Sequence, residues 1–344
     1  MNIVDLRSDT VTVPTPAMRQ AMAQAELGDD VYGEDPTVNR LQQLAAEMLG
    51  KEAGLFVASG TMGNLIGVLS HCQRGDEVIL GSKAHTFLFE AGGISVLGGV
   101  HSCQVPNQPD GTLALGDIEA AIRPDDPHHP ITRLVTLENT QNRCGGAVLS
   151  VEYTRQVGDL ARRRGLQLHL DGARLFNAAA ALDVPACALV EPVDSVSICL
   201  SKGLCAPVGS VLVGSGEFIR RAHRLRKMLG GGMRQAGVLA AAGIIALEQM
   251  PARLGEDHAR ARRLAAGLSQ IPGLVLDPDS PLTNMIFLEL SPDVPGSTGE
   301  VVARLAELGV KVGVSGSRRF RLVTHYWIDD AAVEQAISAF RHAL

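Results

Sequence analysis

The chain has 344 residues, 46% hydrophobic and 3% aromatic, with a net charge of -6 and an isoelectric point near 5.9. An acidic chain of this kind lacks the clustered Lys and Arg that grip phosphates without regard to sequence, which argues against a nucleic-acid partner. The longest apolar run, AGVLAAAGIIAL from Ala236, is shorter than the roughly 20 residues that span a bilayer and reads as a buried helix, so no membrane partner is expected.

The N-terminal MNIVDLRSDTV carries acids early and has no basic start before an apolar segment, so no signal peptide is visible and the expected location is the cytoplasm. DPTVNRLQQLAAEMLG then predicts a helix capped by Asp35, opened by Pro36, stopped by Gly50 and buried along Leu41, Leu44, Met48 and Leu49. Short β-rich runs follow at GLFVAS (54–59), EVILGS (77–82), RLVTLEN (133–139), LQLHLD (166–171), SVSICLS (195–201) and SVLVGS (210–215), alternating with helical patterns. That alternation is the signature of a parallel sheet with crossover helices. After about residue 250 a helix from Pro251 to Ile271 leads into strands near LVLD, NMIFLEL and FRLVTHYW. The expected organisation is a large α/β domain over 1–250, whose first 30 residues contribute to the substrate site, and a smaller α+β domain over 251–344. The six cysteines form no CxxC pair and read as reduced packing residues, and no metal site is expected.

In open parallel sheets, ligands bind outside the carboxyl ends of the strands, so the residues that follow each strand are read together. After GLFVAS comes Ser59-Gly60-Thr61-Met62-Gly63-Asn64 opening a helix; after EVILGS comes His85; LQLHLD ends in Asp171; after SVSICLS comes Lys202. The glycine turn offers backbone N–H groups and a positive helix end to a phosphate, although SGTMGN is neither GxGxxG nor a Walker motif and alone would read as a tight turn. Asp171 is a carboxylate at a buried strand end; it could pair with Arg174 or keep a pyridine nitrogen protonated. Lys202 is one of only five lysines among 31 Lys and Arg, set amid Ser, Gly, Cys and Ala where an unpartnered cation is unusual. An amine, an acid and a phosphate cradle are what pyridoxal phosphate needs.

LRSDTVTVPTPAM, GDDVYGEDPTVN, SGTMGN, KAHTFLFEAGG, LHLDGARLFNA, ICLSKGLCAPVGS and KMLGGGMRQAG together resemble the low-specificity L-threonine aldolases, from Ile3 to the last helix. The resemblance implies the aspartate-aminotransferase-like fold, with a mostly parallel seven-stranded sheet wrapped by helices and a smaller α+β C-terminal domain. It implies pyridoxal 5'-phosphate bound through Lys202, Asp171 at the ring nitrogen, His85 stacked on the ring, Gly60 and Thr61 at the phosphate, and His128 of DDPHH as a second catalytic histidine. His129, one position on, leaves one of the two as a solvated loop residue. Ser8, Arg174 and Arg321 match the grip on the amino-acid carboxylate. Lys227 and Arg234 match cations that reach the phosphate of a neighbouring subunit's cofactor, so a homodimer or homotetramer with shared sites is expected.

The implied reaction is cleavage of L-threonine, L-allo-threonine and related β-hydroxy-α-amino acids to glycine and an aldehyde, with His85 or His128 as the base. β-Elimination, transamination and racemisation use the same lysine and acid and are the alternatives. Two departures stand out. Gln141 replaces the histidine of the family's E-N-T-H-N run and is followed by RCGG, and an Arg318-Arg319 pair precedes Arg321. Both bear on the preference for the β-substituent.

Overall fold

The computed structural model describes residues 3–344. Contacts divide the chain into two units, one covering 14–251 and the other running to Val13 and from Ala252 to Leu344. The first strand, β1 (Val4–Leu6), belongs to the second unit. It pairs in parallel with a strand some 300 residues away, Val4 opposite Val310 and Leu6 opposite Val312. Residues 3–13 therefore do not join the large unit in which the sequence reading placed them: the apolar Val4 and Leu6 are buried in the core of the other.

The larger unit is built on β2 (Ala53–Val57), β3 (Asp76–Gly81), β4 (His101–Val105), β5 (Ile131–Glu138), β6 (Gln167–Gly172), β7 (Ser195–Cys199) and β8 (Ser210–Gly214). Their order across the sheet is β2-β8-β7-β6-β5-β3-β4. β8 runs antiparallel to both its neighbours, and every other pairing is parallel. β7 and β8 are buried along their whole length, as expected where helices cover both faces of a sheet. β4 was not foreseen; its HSCQV is largely exposed at the sheet edge and so lacks the apolar run that marks the central strands.

Local capping chemistry sets the helices. Pro36–Leu49 begins at Asp35, whose Oδ1 accepts from the amides of Thr37 (3.1 Å) and Val38 (3.0 Å), and ends at Gly50 with φ of 63°. Its buried face carries Leu41, Leu44, Ala45, Ala46 and Leu49, whereas Met48 is only half-buried. Gly60–His71 begins at Ser59, whose Oγ accepts from the Met62 amide at 3.2 Å. A Cβ at Gly63 would stand 2.3 Å from Ser197 Oγ, so glycine there lets this helix lie directly on β7. The alanine-rich helix Gly237–Gln249 is mostly buried. No single helix among the described residues is long and apolar enough to cross a membrane.

The second unit carries a five-stranded sheet in the order β1-β11-β12-β10-β9, with β9 Leu274–Leu276, β10 Met285–Leu290, β11 Val310–Gly316 and β12 Arg319–Val323. Helices Leu254–Leu268, Thr298–Glu307 and Asp330–Ala343 complete it, around a core that includes Leu264, Ile286, Leu288, Phe320 and Phe340.

Candidate active site

The carboxyl ends of β3, β5 and β6 and the start of helix Gly60–His71 bring together five side chains on the larger unit, Asn64, His85, Glu90, Glu138 and Asp171. Asn64, one turn into the helix, donates from Nδ2 to Asp171 Oδ2 at 2.8 Å and to Glu90 Oε1 at 2.9 Å. The second Asp171 oxygen accepts from the Ala173 amide at 3.0 Å. Glu90 Oε1 also lies 2.9 Å from His85 Nδ1, and Glu90 Oε2 is buried without a hydrogen-bond partner. His85 opens the short turn after β3, where its amide donates to Glu138 Oε2 at 2.9 Å. His85 is raised above the ordinary histidine range by its bond to Glu90; burial opposes this, Asp171 reinforces it and Lys202 counters it, so both groups stand within electrostatic reach of the ring. Burial raises the Glu90 carboxyl, and burial with the Asp171 charge pushes Glu138 up to about 7.

Half-exposed His85 thus stands against a buried floor of three carboxyls, Asp171, Glu90 and Glu138. The floor oxygens are held in place by Asn64 and backbone donors. At its edge, the geometry of a helix start leaves the Gly60 and Thr61 amides without intrahelical acceptors, and these are suited to an anion. Ligand atoms of His85, Glu90 and Asp171 also lie within 4.8 Å of one another. Asn64 Nδ2 donates to Glu90 Oε1 and Asp171 Oδ2 within this group.

The other expected residues fall as follows. Lys202 lies just past the carboxyl end of β7, in a turn that returns to β8, where the Cys205 amide bonds its carbonyl at 2.9 Å. Arg174 is buried immediately before helix Leu175–Leu182. In the smaller unit, Arg321 Nη2 donates to the Arg7 carbonyl at 3.1 Å, which places it beside Ser8. Ser8 Oγ accepts from the Thr10 amide at 3.2 Å. Arg234 Nη1 donates to Asp29 Oδ2 at 2.9 Å, and exposed Lys227 lines a cavity of about 820 Å³ with Asp30, Arg220, His223 and Arg226.

His128 is not brought to this cluster. It precedes β5, so the strand carries its loop to the amino edge of the sheet, about 23 Å from Glu138 at about 3.3 Å per residue. There its side chain is 86% exposed and its Nδ1 pairs with Asp126 Oδ1 at 2.7 Å. The two departures from the family pattern also take definite places. Gln141 is buried, donating to Lys83 O (3.0 Å) and Glu138 Oε2 (3.2 Å) and accepting from the Cys144 amide (2.8 Å), so it shapes the loop beneath His85. Arg318 ties down the carbonyls of Leu290, Ser291, Val294 and Gly296, and Arg319 pairs with Asp277.

Glu90, Asn64 and Glu138 were missed as site residues. All three lie inside runs quoted above; only the fold shows that they meet. Behind them, buried His169 and half-buried His71 are held neutral, pushed down to about 3 and about 4, in each case mainly by loss of solvent. Between pH 6.5 and those values the unfolded chain binds protons that the folded chain refuses, so stability falls as pH drops through that window. At pH 5 each histidine costs about 2 kcal/mol, while buried Glu90 and Glu138 work in the opposite sense. The urea midpoint of the His169→Gln variant is therefore expected to fall less than the wild type's between pH 7.5 and pH 5. Equal falls in the two proteins would refute a neutral buried His169.

Residues 5–291 match the beta-eliminating lyase family. Low-specificity L-threonine aldolase 1 of Arabidopsis thaliana is 52% identical, covering 100% of this chain and 97% of that protein. The low specificity L-threonine aldolase of Escherichia coli K12 is 47% identical over 99% of this chain and 98% of its own. The fold superposes on the threonine aldolase of Leishmania major with a TM-score of 0.84, at 23% identity and with 98% of each chain covered. On this extent of likeness, from β1 to the last helix, the chain belongs to the beta-eliminating lyase family and, within it, to the low-specificity L-threonine aldolases.

Proposed function

We propose that the chain is a pyridoxal-phosphate-dependent aldolase that cleaves L-threonine, L-allo-threonine and related β-hydroxy-α-amino acids into glycine and an aldehyde. The observation that carries this reading is the carboxylate floor under His85, with Lys202 in electrostatic reach. Buried Asp171, Glu90 and Glu138 crowd negative charge together beside His85, and a protonated ring nitrogen held against Asp171 would relieve it. Lys202 supplies the amine for covalent attachment, His85 covers the ring, and the Gly60 and Thr61 amides receive the phosphate. Bound there, pyridoxal 5'-phosphate supplies an electron sink for the pair released when the Cα–Cβ bond breaks.

The residues of the chain do the rest. Asp171 holds the proton on the facing ring nitrogen, and Asn64 with the Ala173 amide fixes the direction of its carboxylate. Ser8, Arg174 and Arg321 are assigned to the substrate carboxylate by their match to the family's residues, where charge-assisted hydrogen bonds would orient the amino acid. His85 is the base for the β-hydroxyl proton. With Nδ1–H committed to Glu90, its Nε2 is the accepting nitrogen, and the carboxylate behind it stabilises the imidazolium that forms.

Self-association completes the proposal. Tyr32, Phe89, Val96 and Met228 are large apolar side chains left exposed on one copy. Lys227 and Arg234 are assigned to the phosphate of a neighbouring copy's cofactor, since a phosphate dianion needs more positive charge than the roughly half unit of one helix end. His128, at the far edge of its own sheet, can act only in the site of another copy.

The test is incubation of the purified protein with pyridoxal phosphate and each threonine stereoisomer. Glycine and acetaldehyde are expected in equal amounts from the L isomers; keto acid or ammonia in their place would move the assignment to transamination or β-elimination.

A further inference from the structure

Asn64 does not stand alone behind Asp171. Both hydrogens of its Nδ2 go to carboxylates, so its Oδ1 faces away from the site as an acceptor, 3.4 Å from His169 Nε2. His169 Nδ1 lies 2.8 Å from Ser195 Oγ, and Ser195 Oγ lies 2.7 Å from His71 Nε2. One assignment of protons satisfies every link. Asn64 Oδ1 can only accept, so His169 Nε2 carries hydrogen. A neutral His169 then accepts at Nδ1 from the Ser195 hydroxyl, whose oxygen accepts in turn from His71 Nε2–H. Each donor points toward the Asp171 carboxylate.

The sequence is arranged around this line. His169 and Asp171 are two apart on β6 and share a face. Asn64 and His71 are seven apart on helix Gly60–His71 and share a stripe, with Gly67 between them. A Cβ at Gly67 would stand 2.6 Å from His169 Cε1, so the glycine leaves room for the imidazole under the helix. At the outer end His71 stacks on Phe218, with ring centres 4.7 Å apart, beside a cavity of about 350 Å³ that also touches Asp194, Glu217 and Arg221.

We propose that His169, Ser195 and His71 are positioning residues for Asp171, a one-way hydrogen-bond relay that orients Asn64 and polarises it toward the carboxylate facing the ring nitrogen. The proposal rests on the reading of Asp171 given above. Aligned donors polarise one another, so the charge-accepting end of the line gains more than a single amide would supply. Burial keeps both imidazoles neutral, as the relay requires.

The test has two parts. Nitrogen NMR of the histidine-labelled protein should show His169 and His71 as neutral Nε2–H tautomers at pH 7. An Nδ1–H tautomer or an imidazolium at His169 would overturn the relay whatever the protein catalyses. His169→Leu removes the donor, while His169→Gln keeps one donor and one acceptor in similar volume. With the donor lost, the Kd for pyridoxal phosphate should rise and kcat should fall, each by roughly tenfold, with KM for threonine unchanged; Gln should restore both to within about threefold. Ser195→Ala, a smaller change, should move the same quantities in the same direction and carries the test if His169→Leu does not fold. Leu and Gln variants that behave alike would reduce His169 to packing and sink the proposal. A wild-type protein that binds no pyridoxal phosphate would instead overturn the reading beneath it.

Discussion

Replacing Lys202 by alanine is expected to remove the visible absorption that bound pyridoxal phosphate owes to its lysine linkage and to abolish multiple turnover. The reason lies in what surrounds the position. The turn after β7 is made of Ser201, Gly203, Leu204 and Cys205, none of which offers an amine. Lys83, the lysine nearest His85 in sequence, has its Nζ turned to Cys144 Sγ at 3.9 Å. Arginine is no substitute, because a guanidinium stays protonated at any working pH and cannot attack a carbonyl. Lys202→Arg should therefore fail as completely as Lys202→Ala, while a small added amine should return part of the lost rate to the alanine variant alone. The measurement is the visible spectrum of each purified variant together with glycine release. An alanine variant that keeps the wild-type spectrum and turns over repeatedly would remove Lys202 from the site.

The fold was legible where burial is two-sided. The central strands are rich in Val, Leu and Ile between turn residues, and all six proposed strands of the large unit are present. β4 and β11 escaped for different reasons. β4 alternates polar groups at an exposed edge, and β11, VKVGVSG, is glycine-punctuated and half-exposed. The pairing of β1 with β11 joins segments too distant for any local pattern to reveal. Placement was legible at the carboxyl ends of strands: Asp171, His85 and Lys202 were read together on that rule. Applied to His128, which precedes its strand, the same rule places it at the opposite edge, where the structure has it. Glu90 follows no such rule, and Asn64, quoted in the turn after GLFVAS, was not singled out from it. Their role arises from a helix lying across β6 and a short turn after β3, and from an amide that happens to have two hydrogens for two carboxylates.

Asp171→Asn is expected to leave cofactor bound while lowering kcat by about 10² or more, since charge stabilised in a dry site is worth several kcal/mol. The hydrogen bonds make the substitution harsher than its size suggests. Both carboxylate oxygens are acceptors, Oδ1 for the Ala173 amide and Oδ2 for Asn64 Nδ2. An asparagine must turn its NH2 toward one of these donors whichever way the amide is flipped. The variant thus loses the anion that holds the ring-nitrogen proton and also gains a buried donor facing a donor, a penalty of about 1–3 kcal/mol. The two effects separate experimentally. The second should lower thermal stability even without cofactor, and Asn64→Ala in the same background should recover part of it by removing the opposing donor. The first should persist in that double variant as a depressed kcat with little change in KM, because a proton held on the ring matters when the Cα–Cβ bond breaks and not when threonine binds. A loss below tenfold in the single variant would mean that another group holds the ring nitrogen, and buried Glu90, sharing Asn64 with Asp171, would be the residue to replace next.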